Sequence, residues 1–377
     1  MKKIALFLLV ALLLMSIAGC DRQPEDTTLA TDPEKLYITN DEVDLRQKVV
    51  DYMYAMANIK WTAGILLDYS NYSATLVYEP GKTYLGMVYN SNGNGLEAFQ
   101  AVLDENNQHI GTITGWSSAP GNSCATSIEH AWQQISPTVE YEYSIDMLPY
   151  YENTGVIAVG DIDWSCYDGS NTGSVISGND RNVIMEAYAQ ALPGDAMVRF
   201  LTNGGHALMI TKAPTVVRND DGSINMVNSY LYLTDQNIRL HNRREYPSSW
   251  EVDRPVTFAA ALADGYLPVT CAELQEGKAP VPSFEVRNAP TAQELISGTV
   301  KGSIKSNYCL NTVRLELRSG DQVVACVEEH PYIKNYGLKK PVKELNIAQL
   351  PAGEYTLVVI AQVGLSTETL VDVTFSK

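Results

Sequence analysis

The chain opens on a sharp change of polarity. Lys2 and Lys3 precede an unbroken apolar run over residues 4–15. That run is shorter than the roughly 20 apolar residues a membrane-crossing helix needs, and it suits the apolar centre of a secretory leader. Residues 21–28 are polar and poor in large apolar groups, which predicts a flexible tether. Over residues 40–60, Val43, Val49, Val50, Met53 and Met56 recur at near-helical spacing. Asn40 is the expected cap of this helix, with Asp41, Glu42 and Asp44 in the first turn, where the helix dipole favours anions. Residues 75–89 switch to alternation with Gly and Pro punctuation, predicting strands and turns. Short helices are expected over 96–103 and over 124–134, the latter entered from Pro120-Gly121-Asn122-Ser123. Residues 150–180, rich in Gly, Ser, Asp and Asn, read as a long loop with short strands bordering a site.

A helix over 181–192 should stop at Pro193-Gly194. Strands over 196–201 and 206–211 follow, joined through Asn203-Gly204-Gly205, and a third over 224–233 returns after a turn at 219–222. Beyond Lys278-Ala279-Pro280-Val281-Pro282 the helical signal fades. Strand-like segments at 299–304, 312–317, 323–327, 354–360 and 369–375 then suggest a β-sandwich of immunoglobulin-like size. The expected class is α+β. The expected organisation is a leader over 1–19, a tether over 20–38, an α+β domain over 39–276, a linker over 277–285 and a sandwich over 286–377.

The leader ends Ser16-Ile17-Ala18-Gly19-Cys20, which resembles the lipobox of bacterial lipoproteins. The resemblance implies lipid on Cys20 and an exported protein anchored on a membrane of the cell envelope. The formal charge of −17 becomes −19 once Lys2 and Lys3 leave with the leader. Such acidity argues against nucleic-acid partners, which need a basic footprint. It argues equally against docking on anionic lipid by charge alone. Cys124, Cys166, Cys271, Cys309 and Cys326 remain, with no Cys-x-x-Cys spacing and so no zinc or iron–sulfur signature. Cys309 and Cys326 are open to pairing, and an odd number outside the cytoplasm suggests a free thiol. Oligomeric state is not legible.

Two local signals carry chemistry. Cys124 would sit in the first turn of its helix, where unpaired amide N–H groups and the dipole favour thiolate. The bland alternative is a small buried residue at a helix start. The second is His206, following Gly204-Gly205, which leave room beside an imidazole. His130 lies six residues after Cys124, on a different helix face. His109 falls in a polar turn, His241 in a basic segment and His330 in the C-terminal module. Elimination leaves His206 as the base. If the strand from His206 turns tightly near Asp221, the return strand offers position 235 or 237 opposite it. Asp235 and Asn237 share one face, and a one-residue slip would offer Gln236. Nucleophile, base and orienter would form a generalised triad.

Together these segments resemble the papain-like cysteine peptidases and amidases of the NlpC and CHAP type. Leu192-Pro193-Gly194-Asp195-Ala196-Met197-Val198, then Gly205-His206-Ala207-Leu208-Met209-Ile210, is similar to the family's histidine region. Asp235-Gln236-Asn237 resembles the CHAP-type return strand. Tyr84-Leu85-Gly86-Met87-Val88-Tyr89 resembles the segment whose tyrosine helps hold the site. The likeness spans residues 84–237, with Ser123 and Ala125 departing from the usual Asp-Cys-Ser and a longer gap from Cys124 to His206. It implies Cys124 as nucleophile, His206 as base, Asp235 or Asn237 as orienter, and Tyr89 at the oxyanion, with no metal or cofactor. The expected substrate is a cell-wall peptide or other short amide. Trp116, Trp164, Tyr150 and Tyr151 are candidates to line a groove. Two other readings stand: a non-catalytic surface binding or adhesion lipoprotein on the same scaffold, and a transglutaminase-like acyl transferase.

Overall fold

The computed structural model describes residues 29–30, 36–70, 73–90, 93–110, 120–137, 139, 146–150, 155–202 and 204–377. Cys20, Trp116 and Tyr151 lie outside them. The fold is mixed α+β, with more strand than helix. It divides into two compact units: Ile38–Ala279, and Pro280–Lys377 with the described part of Met1–Tyr37.

In the first unit, helix α1 (Leu45–Asn58) buries Leu45, Val49, Val50, Met53, Met56 and Ala57. Truncating a buried residue such as Met53 to Ala typically costs about 2–5 kcal/mol. The cap is Asp44, which accepts the Gln47 N–H at 3.0 Å, rather than Asn40. The Glu42 and Val43 N–H groups close a turn on the Thr39 carbonyl, so the helix starts four residues later than expected.

Nine strands build the main sheet: β1 (Lys60–Ala63), β2 (Thr83–Leu85), β3 (Gln108–His109), β4 (Val156–Ala158), β5 (Ala196–Leu201), β6 (Gly204–Thr215), β7 (Tyr230–Arg243), β8 (Tyr246–Thr257) and β9 (Leu267–Cys271). Their order is β3-β1-β2-β8-β7-β6-β5-β9-β4, and the central run β8-β7-β6-β5 is antiparallel throughout. Helices α2 (Cys124–Trp132) and α3 (Arg181–Gln190) form close to the expected bounds. The Trp132 indole N–H donates to the Gly194 carbonyl at 2.7 Å, and the Gly194 N–H donates to Ile210 of β6 at 2.8 Å. One turn thereby fastens α2 to β6. The return strand expected over 224–233 begins only at Tyr230, because Asn225 and Ser229 tie back to Val217 in an excursion before it. The segment expected as a long loop contains helix Thr172–Gly178 and a 3₁₀ turn at Trp164–Cys166.

The second unit contains β10 (Phe284–Arg287), β11 (Ser303–Leu310), β12 (Thr312–Ser319), β13 (Gln322–Glu329), β14 (Ile333–Gly337), β15 (Glu354–Val363) and β16 (Ser366–Ser376). One sheet runs β10-β11-β14 and the other β16-β15-β12-β13. Ile304 and Tyr336 from the first share a core with Leu315, Leu317, Leu357 and Val359 from the second. Within the segment expected as a tether, Leu29–Ala30 pair in parallel with Ser366 and Thr367 of β16. An open sheet edge supplies backbone partners and asks for no large side chain. The expected linker is also ordered: Gly277, left-handed at φ 66°, ends helix Ala272–Glu276, and Lys278–Pro280 forms a strand.

Candidate active site

The start of α2 is fixed by a reciprocal cap. Ser123 accepts the Thr126 N–H, and the Thr126 hydroxyl accepts the Ser123 N–H at 2.8 Å. Cys124 is therefore the first helical residue, at the positive end of the dipole and with a backbone N–H that the helix itself does not use. The turn leading into it lies against Val88, Asn90 and Asn94. The Asn122 N–H donates to Val88, and the Asn90 and Asn94 N–H groups donate to Asn122 and Gly121. Gly121 is required by this approach, since a Cβ there would lie 2.7 Å from the Val88 carbonyl oxygen and 2.8 Å from the Asn90 Cβ. Tyr89 forms a backbone bridge with Asn122, two residues before Cys124, and is half-buried.

His206 lies on β6 directly opposite Arg199 of β5. The β6–β7 ladder runs from Met209↔Thr234. Extended towards His206 it places Asn237 across from the imidazole, with Asp235 diagonal to it on the same face. Diagonal neighbours remain within reach of a long side chain. Asp235 is the residue that engages: its Oδ2 lies 3.0 Å from His206 Nε2, and it is 1% exposed. Asn237 is half-buried, and no described hydrogen bond joins it to His206. Gln236, on the opposite face, donates to the Met87 carbonyl and the Ser249 hydroxyl, which pins the register. On its other side the imidazole, together with the Ala207 N–H, lies near enough to the Cys124 thiol to draw it towards thiolate. With Nε2 committed to Asp235, Nδ1 is the nitrogen left for Cys124.

The electrostatics of the pair run in opposite senses. Burial pushes the Cys124 thiol up, but the hydrogen bond and charge of His206, helped by the Ala207 N–H, outweigh it and leave the thiol below its ordinary value. Burial pulls the His206 imidazole down. The hydrogen bonds to Asp235 and Cys124, and the charge on both, raise it well above its ordinary value. Both shifts favour a thiolate–imidazolium pair at neutral pH.

The chain matches no protein-family model, and no curated protein or solved structure is significantly similar to it. What the site can do therefore has to be read from its own chemistry.

Three further residues that the sequence reading did not single out adjoin His206, Asp235 or one another. Tyr266, just before β9, sets its ring edge-on to His206 with centroids 6.3 Å apart. Arg199 places its guanidinium over the Tyr266 ring at 4.8 Å. Arg254 of β8 sits 3.9 Å from Asp235 Oδ1 and pairs with Glu251, the residue directly across from Asp235. Arg254 thus offsets the repulsion between two facing carboxylates.

His130 is buried on α2 beside the Gly93 backbone, and His109 is buried against the Trp61 and Phe99 rings rather than in a polar turn. Trp164 is buried, and Tyr150 packs on Tyr167. Cys124, Cys166 and Cys271 carry free thiols. Among the described residues no group of three or more His, Cys, Asp or Glu side chains clusters to hold a metal ion.

Proposed function

We propose that this chain is a papain-like cysteine hydrolase of short amides, exported and held at the cell envelope by lipid on Cys20. The observation that carries the reading is the placement of Cys124 at a helix start beside His206, whose ring the buried Asp235 carboxylate holds at 3.0 Å. In the proposed reaction the Cys124 thiolate attacks the amide carbonyl carbon. The oxyanion is met by the Cys124 backbone N–H and the Tyr89 hydroxyl. The C–N bond breaks as the His206 imidazolium gives its proton to the leaving amine. Water then attacks the thioester, its proton passes to His206, and the acid leaves with the thiolate restored. Asp235 holds the imidazole in one tautomer and orientation.

The central antiparallel strands that bear His206 and Asp235, with the cysteine helix fastened to them, support a papain-like reading of the first unit. Seven strands in antiparallel sheets of three and four around one core support an immunoglobulin-like reading of the second. The substrate class, a cell-wall peptide or similar short amide, follows from the family resemblance and the lipobox.

The test is incubation with soluble cell-wall stem peptides and mass analysis of the products. The expected outcome is cleavage with gain of one water, abolished in Cys124→Ala. Intact peptides together with an ordinary, unactivated Cys124 thiol would overturn the reading. For the anchor, Cys20→Ala is expected to move the protein from the membrane to the soluble fraction with Cys124 reactivity unchanged. Loss of that reactivity in folded Cys20→Ala protein would break the division between anchor and nucleophile.

A further inference from the structure

A strand that keeps its pleat sends residues three apart to opposite faces of the sheet. In β8 this alternation breaks beside the site. Asp235 of β7 pairs with Glu251 and Leu233 pairs with Arg254, so two steps on β7 answer three on β8. The extra residue makes a β-bulge, and it brings Glu251 and Arg254 out on one face, the face of Asp235 and His206. The bulge contains Asp253, whose φ is 53°. Among the described residues it is the one non-glycine residue inside a strand with a left-handed backbone. Its own side chain is gripped on the other face of the sheet, that of Thr234. There the Tyr54 hydroxyl of α1 donates to it at 2.6 Å and the Thr211 hydroxyl at 2.8 Å, and Lys212 Nζ lies 2.8 Å away. The Asp253 N–H donates to the Thr234 hydroxyl at 3.1 Å.

On the site face Asp235 is buried, and its Oδ1 accepts no hydrogen bond among the described residues. Arg254 stands 3.9 Å from that oxygen and pairs with Glu251. Without the bulge Arg254 would leave the opposite face of the sheet. Glu251 would then stand directly across from Asp235 with no cation beside the two, and like charges so placed repel. We infer that Asp253 is a positioning residue: its left-handed bulge delivers Arg254 to Asp235, and so keeps the Asp235 carboxylate turned onto His206. The inference rests on the proposed Cys124–His206 chemistry and names what holds its third member in place. Tyr54, Thr211 and Lys212 stabilise the strained backbone that the task requires.

The test times iodoacetamide labelling of Cys124 in the full chain at neutral pH, read on the Cys124 peptide by mass. Arg254→Met should slow labelling about fivefold. Asp253→Val should do the same, because a β-branched residue does not take a left-handed backbone. Adding Glu251→Gln to either variant should restore the wild-type rate, since the carboxylate that repels Asp235 is gone; a general loss of structure would not be rescued in this way. Asp253→Gly accepts the left-handed backbone and should label within about twofold of wild type, even though it loses the grip of Tyr54. Should Asp253→Val not fold, Arg254→Met with and without Glu251→Gln reads the same contact, and Asp253→Gly reads the bulge. Fast labelling in the wild type that is unchanged in Arg254→Met, or is slowed there but not rescued by Glu251→Gln, overturns the inference and leaves the hydrolase reading standing. So does an Asp253→Gly rate as slow as that of Arg254→Met. Wild-type labelling no faster than an ordinary thiol overturns the hydrolase reading itself.

Discussion

Two cysteines of the first unit begin helices, and their surroundings drive them apart. Cys124 opens α2 beside His206, and its thiol lies below the ordinary value despite burial. Cys271 caps the short helix Ala272–Glu276, yet burial and the charges of Glu273 and Asp195 push its thiol well up. A helix start is common to both, so it does not decide ionisation. A histidine held cationic by a buried carboxylate decides it at one site, and burial reinforced by two carboxylates decides it at the other. Arg46 sits 2.8 Å from Asp195 and opposes that effect at Cys271 without reversing it.

The largest expected effect comes from removing the imidazole. His206→Ala should slow iodoacetamide labelling of Cys124 at neutral pH by about 100-fold or more, while Cys271 stays unlabelled in both folded proteins. Equal rates in the two proteins would mean that the helix start alone ionises Cys124. Next is the carboxylate. Asp235→Asn removes a charge-assisted hydrogen bond and should cost about 10- to 100-fold in the same rate, with Asn237→Ala within about twofold of wild type. A reversal of those two effects would make Asn237 the orienter. The smallest effect belongs to the cap. Ser123→Ala should lower stability to denaturant by about 1 kcal/mol and change Cys124 labelling only a few-fold. If Ser123→Ala matched His206→Ala, the contrast with Cys271 would no longer rest on the histidine.

The pairing of Cys124 with His206 was legible because each residue type was scarce and each sat at a readable element boundary. The choice between Asp235 and Asn237 was not, since both lie on one strand face and the β6–β7 bulges between Ile210 and Thr215 depend on tertiary pairing. Arg199 was within reach of the sequence. A two-residue connection between Leu201 and Gly204 sets Arg199 opposite His206, whereas reading the break as Asn203-Gly204-Gly205 hid it. Tyr266 and Arg254 come from segments whose place beside His206 and Asp235 no local pattern reveals. In the second unit the helix Ala292–Ser297 was signalled by its capping box, Thr291 with Glu294, but six residues are too few to show a periodicity. The late start of α1 has a similar cause, because several acidic and amide residues before Leu45 were each able to cap it.

The central claim is that His206 holds Cys124 as a thiolate at neutral pH. Its most direct test is a pH titration of thiolate ultraviolet absorbance, taken as the difference between wild type and Cys124→Ala. The depressed Cys124 thiol ionises at lower pH than an ordinary one, so the signal should rise before the range in which an unperturbed thiol titrates. In His206→Ala the rise should move to higher pH. A wild-type signal that appears only at about pH 8.5 or above, where an unperturbed thiol titrates, would contradict the account.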